Sequence, residues 1–336
     1  TGARRVNRAL VGFGFGPIQA GLFVPFARAD QFERITVAEI DAELVRGLRA
    51  NGGHYAVNVA HADRLETVQI GGLEVVNPLD EQDTGLLQRR LREASTIVTA
   101  LPSPAAYTAG GEASVAAMIA AAAREPGPPV VVYTAENHPD APARLESAVR
   151  ERMRGASPCR AMAWVPTVIG KMSQTLAGSA ARARHALAPI TPGLERTFLV
   201  ESFDRIVSGR VPEDCATGRL SRLIEQDDVR PYQELKLYGH NAAHLMLGLV
   251  ARVRGWSWMT QLRKAGSALE AARALITQES GAALRRRWPR AGGELASEAA
   301  LRSFATELVD RITSPWLNDA VERVIRDLPR KLARDD

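Results

Sequence analysis

The way this chain opens constrains its fold more than any other feature. Arg8 to Phe13 reads as a buried strand, Gly14-Phe15-Gly16 follows at once, and an apolar stretch runs from Ile18 to Phe26. A strand that passes through a glycine pair straight into a helix is the first half of a βαβ unit. The pattern then repeats. Arg34 to Ile40 is a second strand with Ile35, Val37 and Ile40 as its apolar positions. Asp41 to Asn51 is a helix with Leu44, Val45 and Leu48 on one face. Val68 to Val76 is extended, Thr84 to Glu93 is helical, and Ser95 to Leu101 is an apolar strand stopped by Pro102. Glu112 to Glu125 is an alanine-rich helix, and Pro129 to Tyr133 is a further buried strand with Thr134 to Pro139 as the loop after it. Such alternation predicts a parallel sheet covered by helices.

Beyond about residue 212 the strand patterns cease. Helical patterns cover Gln233 to Arg254, Met259 to Thr277, Glu294 to Thr313 and Trp316 to Leu332. The expected architecture is α/β: a Rossmann-type dinucleotide-binding domain over 1–210, then a mostly α-helical domain over 211–336. The ligand is expected in the crevice between them, at the carboxyl ends of the strands. No apolar run approaches the roughly 18 residues that a membrane span requires. Thr1 to Asn7 is polar and basic and lacks the apolar core of a secretory signal. Two cysteines, Cys159 and Cys215, are too few for a zinc cluster or a disulfide framework. A reduced cytoplasmic protein without a membrane partner is expected, as a monomer or a dimer. The net charge of +5 raises nucleic acid as a partner, but the charges form no block, aromatics are only 5%, and Arg285-Arg286-Arg287 reads as a solvated helix face. No nucleic-acid partner is expected.

Gly14-Phe15-Gly16-Pro17-Ile18-Gln19-Ala20-Gly21 has the form of a dinucleotide-binding turn. Gly14 permits the tight turn, Gly16 lets the backbone approach a pyrophosphate, and the helix begun by Pro17 and Ile18 offers free N–H groups. Gln19 stands where a third glycine is usual. The next strand ends near Glu39, whose carboxylate can accept hydrogen bonds from both adenosine ribose hydroxyls and would repel a 2′-phosphate. NAD is therefore expected over NADP, with Leu101 and Pro102 completing the cofactor set.

Of 43 Lys and Arg residues only four are lysine: Lys171, Lys236, Lys264 and Lys331. Arginine cannot give up its proton at relevant pH whereas a buried lysine can, so lysine here marks positions where an amine matters. Lys236 opens a helix that is apolar nearly all round and ends near Gly255; Lys236, His240, Asn241 and His244 interrupt it. At about 100° per residue they cover an arc of roughly 140°. Buried polar groups on one face need partners or a purpose. His240 and His244 also have the spacing of helical metal ligands, but Asn241 stands where a metalloprotease has its glutamate, and no cysteine–histidine cluster supplies further ligands. No metal is expected.

The spacing Lys236-x4-Asn241-x2-His244 resembles the signature of the polyol-specific long-chain dehydrogenases, the family of mannitol 2-dehydrogenase and mannitol-1-phosphate 5-dehydrogenase. Thr134-Ala135-Glu136-Asn137, Val200-Glu201-x-Phe203, Trp316 to Val324 and Arg330-Lys331-Leu332 resemble further landmarks of that family. The resemblance implies a metal-independent, NAD-dependent secondary-alcohol dehydrogenase acting on a polyol, a sugar acid or a polyol phosphate. It implies Lys236 as general acid/base, Asn137 and Asn241 on the oxyanion, and His244 orienting the substrate. In the family an Asp-Arg pair lines the pocket; Gly170-Lys171 takes its place here, which makes Lys171, with Arg205 and His240, a candidate for substrate binding. Relatives also continue for several helices beyond the position of Lys331, so an altered pocket is expected. A redox-neutral NAD-retaining epimerase and a non-catalytic nucleotide-binding protein are the competing readings.

Overall fold

The computed structural model describes residues 8–178, 185–317 and 319–331; Thr1–Asn7, Asn318 and Leu332, which entered the sequence reading, lie outside the described residues. The chain divides into two units, one of residues 1–61 and 65–229, the other of 62–64 and 230–336.

Among the described residues the first unit is built on two sheets. In the larger, β5 (Glu74–Val76), β2 (Arg34–Ala38), β1 (Ala9–Phe13), β6 (Thr96–Thr99), β7 (Val130–Thr134) and β8 (Met162–Val168) are parallel neighbours in that order. This is the doubly wound order, and the chain reverses direction across the sheet between β1 and β6. Beyond β8 the sheet continues through β11 (Val207–Gly209), antiparallel to β8, and β12 (Ile224–Gln226). All residues of β1, β6 and β7 are buried, as parallel strands covered on both faces must be. The smaller sheet runs in the order β4 (Leu65–Ile70), β3 (Tyr55–Ala60), β10 (Arg196–Glu201), β9 (Ser173–Ala177). It packs into one apolar core with Phe15, Phe23 and α1 (Val24–Ala29), while α3 (Glu81–Glu93), α4 (Val115–Ala123) and α5 (Ala141–Met153) contribute to the core on the other face.

Local chemistry explains several of these elements. Asp41 caps α2 (Ala42–Ala50), its carboxylate accepting from the Glu43 and Leu44 N–H groups. Leu44, Val45 and Leu48 are the buried face of that helix, as expected. A π turn (Gln19–Phe23) precedes α1 and carries Gln19 fully buried. A Cβ added to Gly12 would lie 2.2 Å from Gln19 Nε2. The close helix–strand approach normally served by a third turn glycine is thus served from the strand, by Gly12.

Four sequence expectations need correction. Ile40 is not a core position: β2 ends at Ala38 and Ile40 is 64% exposed. The first unit runs to Val229 rather than to about 210, because β11 and β12 extend the large sheet; strands therefore persist past residue 212. The extended stretch at Val68 to Val76 belongs to two strands in different sheets, and β3 before it was not anticipated. Trp316 to Leu332 is not one helix: α11 (Val321–Val324) and α12 (Leu328–Lys331) are separated by Asp327 at a φ of 56°.

The second unit is helical. α6 (Arg230–Leu235) passes through a π turn (Lys236–Asn241) into α7 (Ala242–Val253), which ends at Gly255 with φ at 70°. A 3-10 turn (Met259–Lys264), α8 (Gly266–Ala274), a second π turn (Leu275–Ser280), α9 (Gly281–Arg287) and α10 (Glu298–Ile312) follow. No described helix is long and apolar enough to cross a membrane.

Candidate active site

In the first unit the dinucleotide turn sits at the β1–β6 reversal. Gly14 has φ at 81°, and an added Cβ would lie 2.8 Å from the Ala100 carbonyl oxygen and 3.0 Å from Leu101 Cδ2. Only glycine fits both the conformation and the space. A Cβ on Gly16 would meet nothing within 4 Å, so the backbone there is open to a close-approaching phosphate. The helix starts at Pro17, whose missing N–H would have been unpaired in a first turn anyway. Glu39 reaches back from β2: its Oε2 accepts from the Phe15 N–H at 2.7 Å and its Oε1 from the Asp41 N–H at 2.9 Å. A carboxylate has about four acceptor sites, so capacity for ribose hydroxyls remains. These residues fit a dinucleotide.

The loop after β7 is tied to the same region by Glu136, whose role the sequence reading missed. Glu136 is 4% exposed. Its Oε1 accepts from the Leu101 N–H at 3.0 Å, and its Oε2 accepts from Thr99 Oγ1 at 2.9 Å and Tyr107 Oη at 2.5 Å. Burial pushes its carboxyl above the usual carboxylate range, against the pull of these donors. The loop bearing Leu101 and exposed Pro102 is thereby fixed to the loop bearing exposed Asn137.

Lys171 and Arg205 meet at one residue. Lys171 is buried and donates from Nζ to the Phe203 carbonyl at 2.8 Å, while the exposed Arg205 guanidinium lies 5.2 Å from the Phe203 ring centre. The Met172 N–H donates to Glu201 Oε1 at 2.5 Å. Gly170-Lys171-Met172 and the Val200 to Phe203 segment are therefore packed side by side. Lys171 also lines a cavity of about 290 Å³ with Ser202, Asp204, Arg222, His61 and Glu66.

In the second unit the π turn changes the geometry expected for Lys236 and Asn241. In an α-helix, five residues of separation would leave them well apart around the axis. An i→i+5 turn is wider and brings residue i+5 nearer to the face of residue i than an α-helix does, and Lys236 and Asn241 are the first and last residues of this turn. Gly239 lies inside it, where a Cβ would stand 3.2 Å from Leu235 Cδ1. Burial of its amine pulls the Lys236 pKa down to about 8. His240 is 7% exposed, and burial, with the electrostatic effect of neighbouring His244, Arg311 and Lys236, holds it well below the usual histidine range.

His244, on α7, is bound by a residue from far along the chain. Its Nε2 lies 2.9 Å from Asp319 Oδ2. Asp319 is 5% exposed, and its Oδ1 accepts from Arg323 Nε at 2.9 Å and Nη2 at 2.6 Å. Burial alone would raise its pKa, but the His244 hydrogen bond and the adjacent cations outweigh it and hold the carboxyl below the usual range. The backbone is pinned as well: the Met259 N–H donates to the Asp319 carbonyl and the Val321 N–H to the Ser257 carbonyl, each at 2.9 Å. Gly248 lets this segment approach α7, since a Cβ there would stand 2.7 Å from Val324 Cγ1. The structure thus brings Lys236, His240, Asn241 and His244 onto one helical run in the second unit, whereas Asn137, Lys171 and Arg205 belong to the first. The sequence reading passed over Asp319 and Arg323 within the Trp316 to Val324 landmark; their i, i+4 spacing was the available signal.

No family model matches the chain. It is 24% identical over 333 residues to mannitol-1-phosphate 5-dehydrogenase of Brevibacillus brevis, covering 97% of this chain and 78% of the relative. Among solved structures, a substrate-free D-sorbitol dehydrogenase superposes with a TM-score of 0.74 at 12% identity, covering 98% of this chain and 76% of that one. Pseudomonas fluorescens mannitol 2-dehydrogenase, in a ternary complex with NAD and D-mannitol, superposes with a TM-score of 0.64 at 15% identity, covering 95% and 71%. The expected resemblance to polyol-specific dehydrogenases is borne out along the whole chain, and so is the expected fold class.

Proposed function

We propose that this chain is an NAD-dependent, metal-independent dehydrogenase of a polyol or polyol phosphate, with Lys236 as its acid/base. The observation that carries the reading is the π turn with Lys236 at one end, its pKa drawn down to about 8, and Asn241 at the other. The relatives named above support the substrate class. Gly14, Gly16 and Glu39 would hold the dinucleotide, with Pro17, Ile18, Leu101 and Pro102 beside it; NAD, when bound, supplies a hydride acceptor. Lys236 enters oxidation as a neutral amine and takes the hydroxyl proton of the substrate, while the carbinol C–H electron pair departs as hydride and a carbonyl remains. Asn241 and Asn137 donate amide hydrogens to the oxygen as its negative charge grows, and His244 orients the substrate. In reduction the lysine returns the proton.

Lys171 and Arg205 are the cations proposed for a substrate phosphate. The test is a panel of polyols, sugar acids and polyol phosphates assayed for NADH and NADPH release. Release of NADH, with NADP the poorer cofactor, is expected, and replacing Glu39 by alanine narrows the gap. Tight retention of NAD without net reduction on every substrate would favour the epimerase reading. Equal efficiency on a polyol and its phosphate ester would remove the phosphate role of Lys171 and Arg205.

A further inference from the structure

The buried Asp319 carboxylate faces a histidine on one oxygen and an arginine on the other. A carboxylate only accepts hydrogen bonds, so the ring nitrogen beside it must carry a proton. A neutral imidazole has one N–H, and which nitrogen holds it is decided by the partner of that nitrogen. With Nε2 committed to Asp319, Nδ1 is left as the bare acceptor. We infer that Asp319 is a positioning residue that fixes His244 as the Nε2–H tautomer, so that Nδ1 accepts a hydrogen bond from a hydroxyl of the substrate. The inference rests on the polyol dehydrogenase reading for the identity of that hydroxyl, but not for the state of the ring.

The arrangement is built to hold this state. Arg323 occupies the second carboxylate oxygen, which keeps Asp319 from turning away. The backbone bonds from the Met259 N–H to the Asp319 carbonyl and from the Val321 N–H to the Ser257 carbonyl fix where the carboxylate stands. The ring of His244 can then neither spin nor exchange tautomers without breaking a partly buried, charge-assisted hydrogen bond. Polyol hydroxyls are donors as well as acceptors, and a fixed acceptor selects one orientation of the hydroxyl it meets. An Nδ1–H tautomer would offer a donor there instead and leave the hydrogen of that hydroxyl without this acceptor.

The test is long-range ¹H–¹⁵N NMR of the histidine rings, with His244 assigned through His244→Asn. In the unmodified protein above neutral pH, His244 should show a protonated Nε2 and a bare Nδ1. A protonated Nδ1 there overturns the inference without any variant. In Asp319→Asn the tautomers should mix or invert, because the amide can turn its NH₂ toward the ring. The kcat/KM for the polyol should fall roughly tenfold to a hundredfold, by analogy with carboxylate partners that orient metal-bound histidines, while the KM for NAD stays unchanged. Asp319→Glu should restore part of the activity. Arg323→Gln removes the ion pair but leaves the dyad, and should keep Nε2–H. The same ring spectrum in Asp319→Asn and Arg323→Gln would assign the effect to packing and overturn the inference. A protein that oxidises no polyol leaves the ring assignment standing, so the two failures are separately visible.

Discussion

Lys236 depends on a proton that must be absent for half of the reaction and present for the other half. A free lysine with a pKa of about 10.4 would be charged throughout the neutral range. Burial disfavours the ammonium because the amine loses its water shell, and it brings the pKa down to about 8. The sign follows directly: below that value the group has no lone pair to take the hydroxyl proton, and above it the neutral amine can act as base. Polyol oxidation should therefore rise with pH through one ionisation near 8, and carbonyl reduction should fall through the same one. Lys236→Ala should lower turnover on the order of a hundredfold or more, with little effect on NAD affinity, and an added primary amine should restore part of it. Lys236→Arg keeps the charge but cannot release the proton and should be inactive. Steady-state rates across pH check all of this; an arginine variant with near-normal turnover would reduce Lys236 to an electrostatic role and send the search for the base to His244.

At the level of elements, the helix after β1 and the strand beneath it trade side-chain volume. Gln19 is 0% exposed, and neither its Nε2 nor its Oε1 has a hydrogen-bond partner among the described residues. A buried amide without partners costs roughly 1–3 kcal/mol, so Gln19→Ala should cost less than an ordinary core truncation. Gly12→Ala drives a methyl into that amide and should destabilise by about 1–3 kcal/mol, the range for overpacking. In the double variant the methyl finds the amide gone. Denaturant unfolding of all four combinations should give a double variant more stable than the sum of the single losses predicts. Additivity within about 0.5 kcal/mol would show that the two positions do not share space. The π turn at Lys236–Asn241 belongs to this scale too: a wider turn brings Asn241 nearer to the face of Lys236 than an α-helix would.

For the molecule as a whole, the histidines matter for what they are already bound to. Among the described residues no group of three or more His, Cys, Asp or Glu side chains is arranged to hold a metal ion. His244 gives its Nε2 to Asp319, which competes with any ion for that nitrogen. Exhaustive chelation should leave turnover intact, and elemental analysis should find no stoichiometric zinc. Activity lost to chelator and regained with zinc would restore His240 and His244 as ligands.

The sequence by itself determined the βαβ alternation, the glycine turn with Glu39 one strand on, the helix after Asp41 and the placing of Lys236, Asn241 and His244 on one helical run. These are short-range signals: strand and helix periods and turn glycines are written within a dozen residues. Tertiary structure decided the rest. β3 pairs with β10 across most of the first unit, and β11 and β12 extend a sheet begun near residue 9; no local period encodes such pairings. The helix through Lys236 reads as α from its apolar pattern, and the folded chain is π there. Asp319 reaches His244 from 75 residues away because Gly248 lets α11 close on α7, and the cost of burying a lone carboxylate is met by a partner that only the fold supplies.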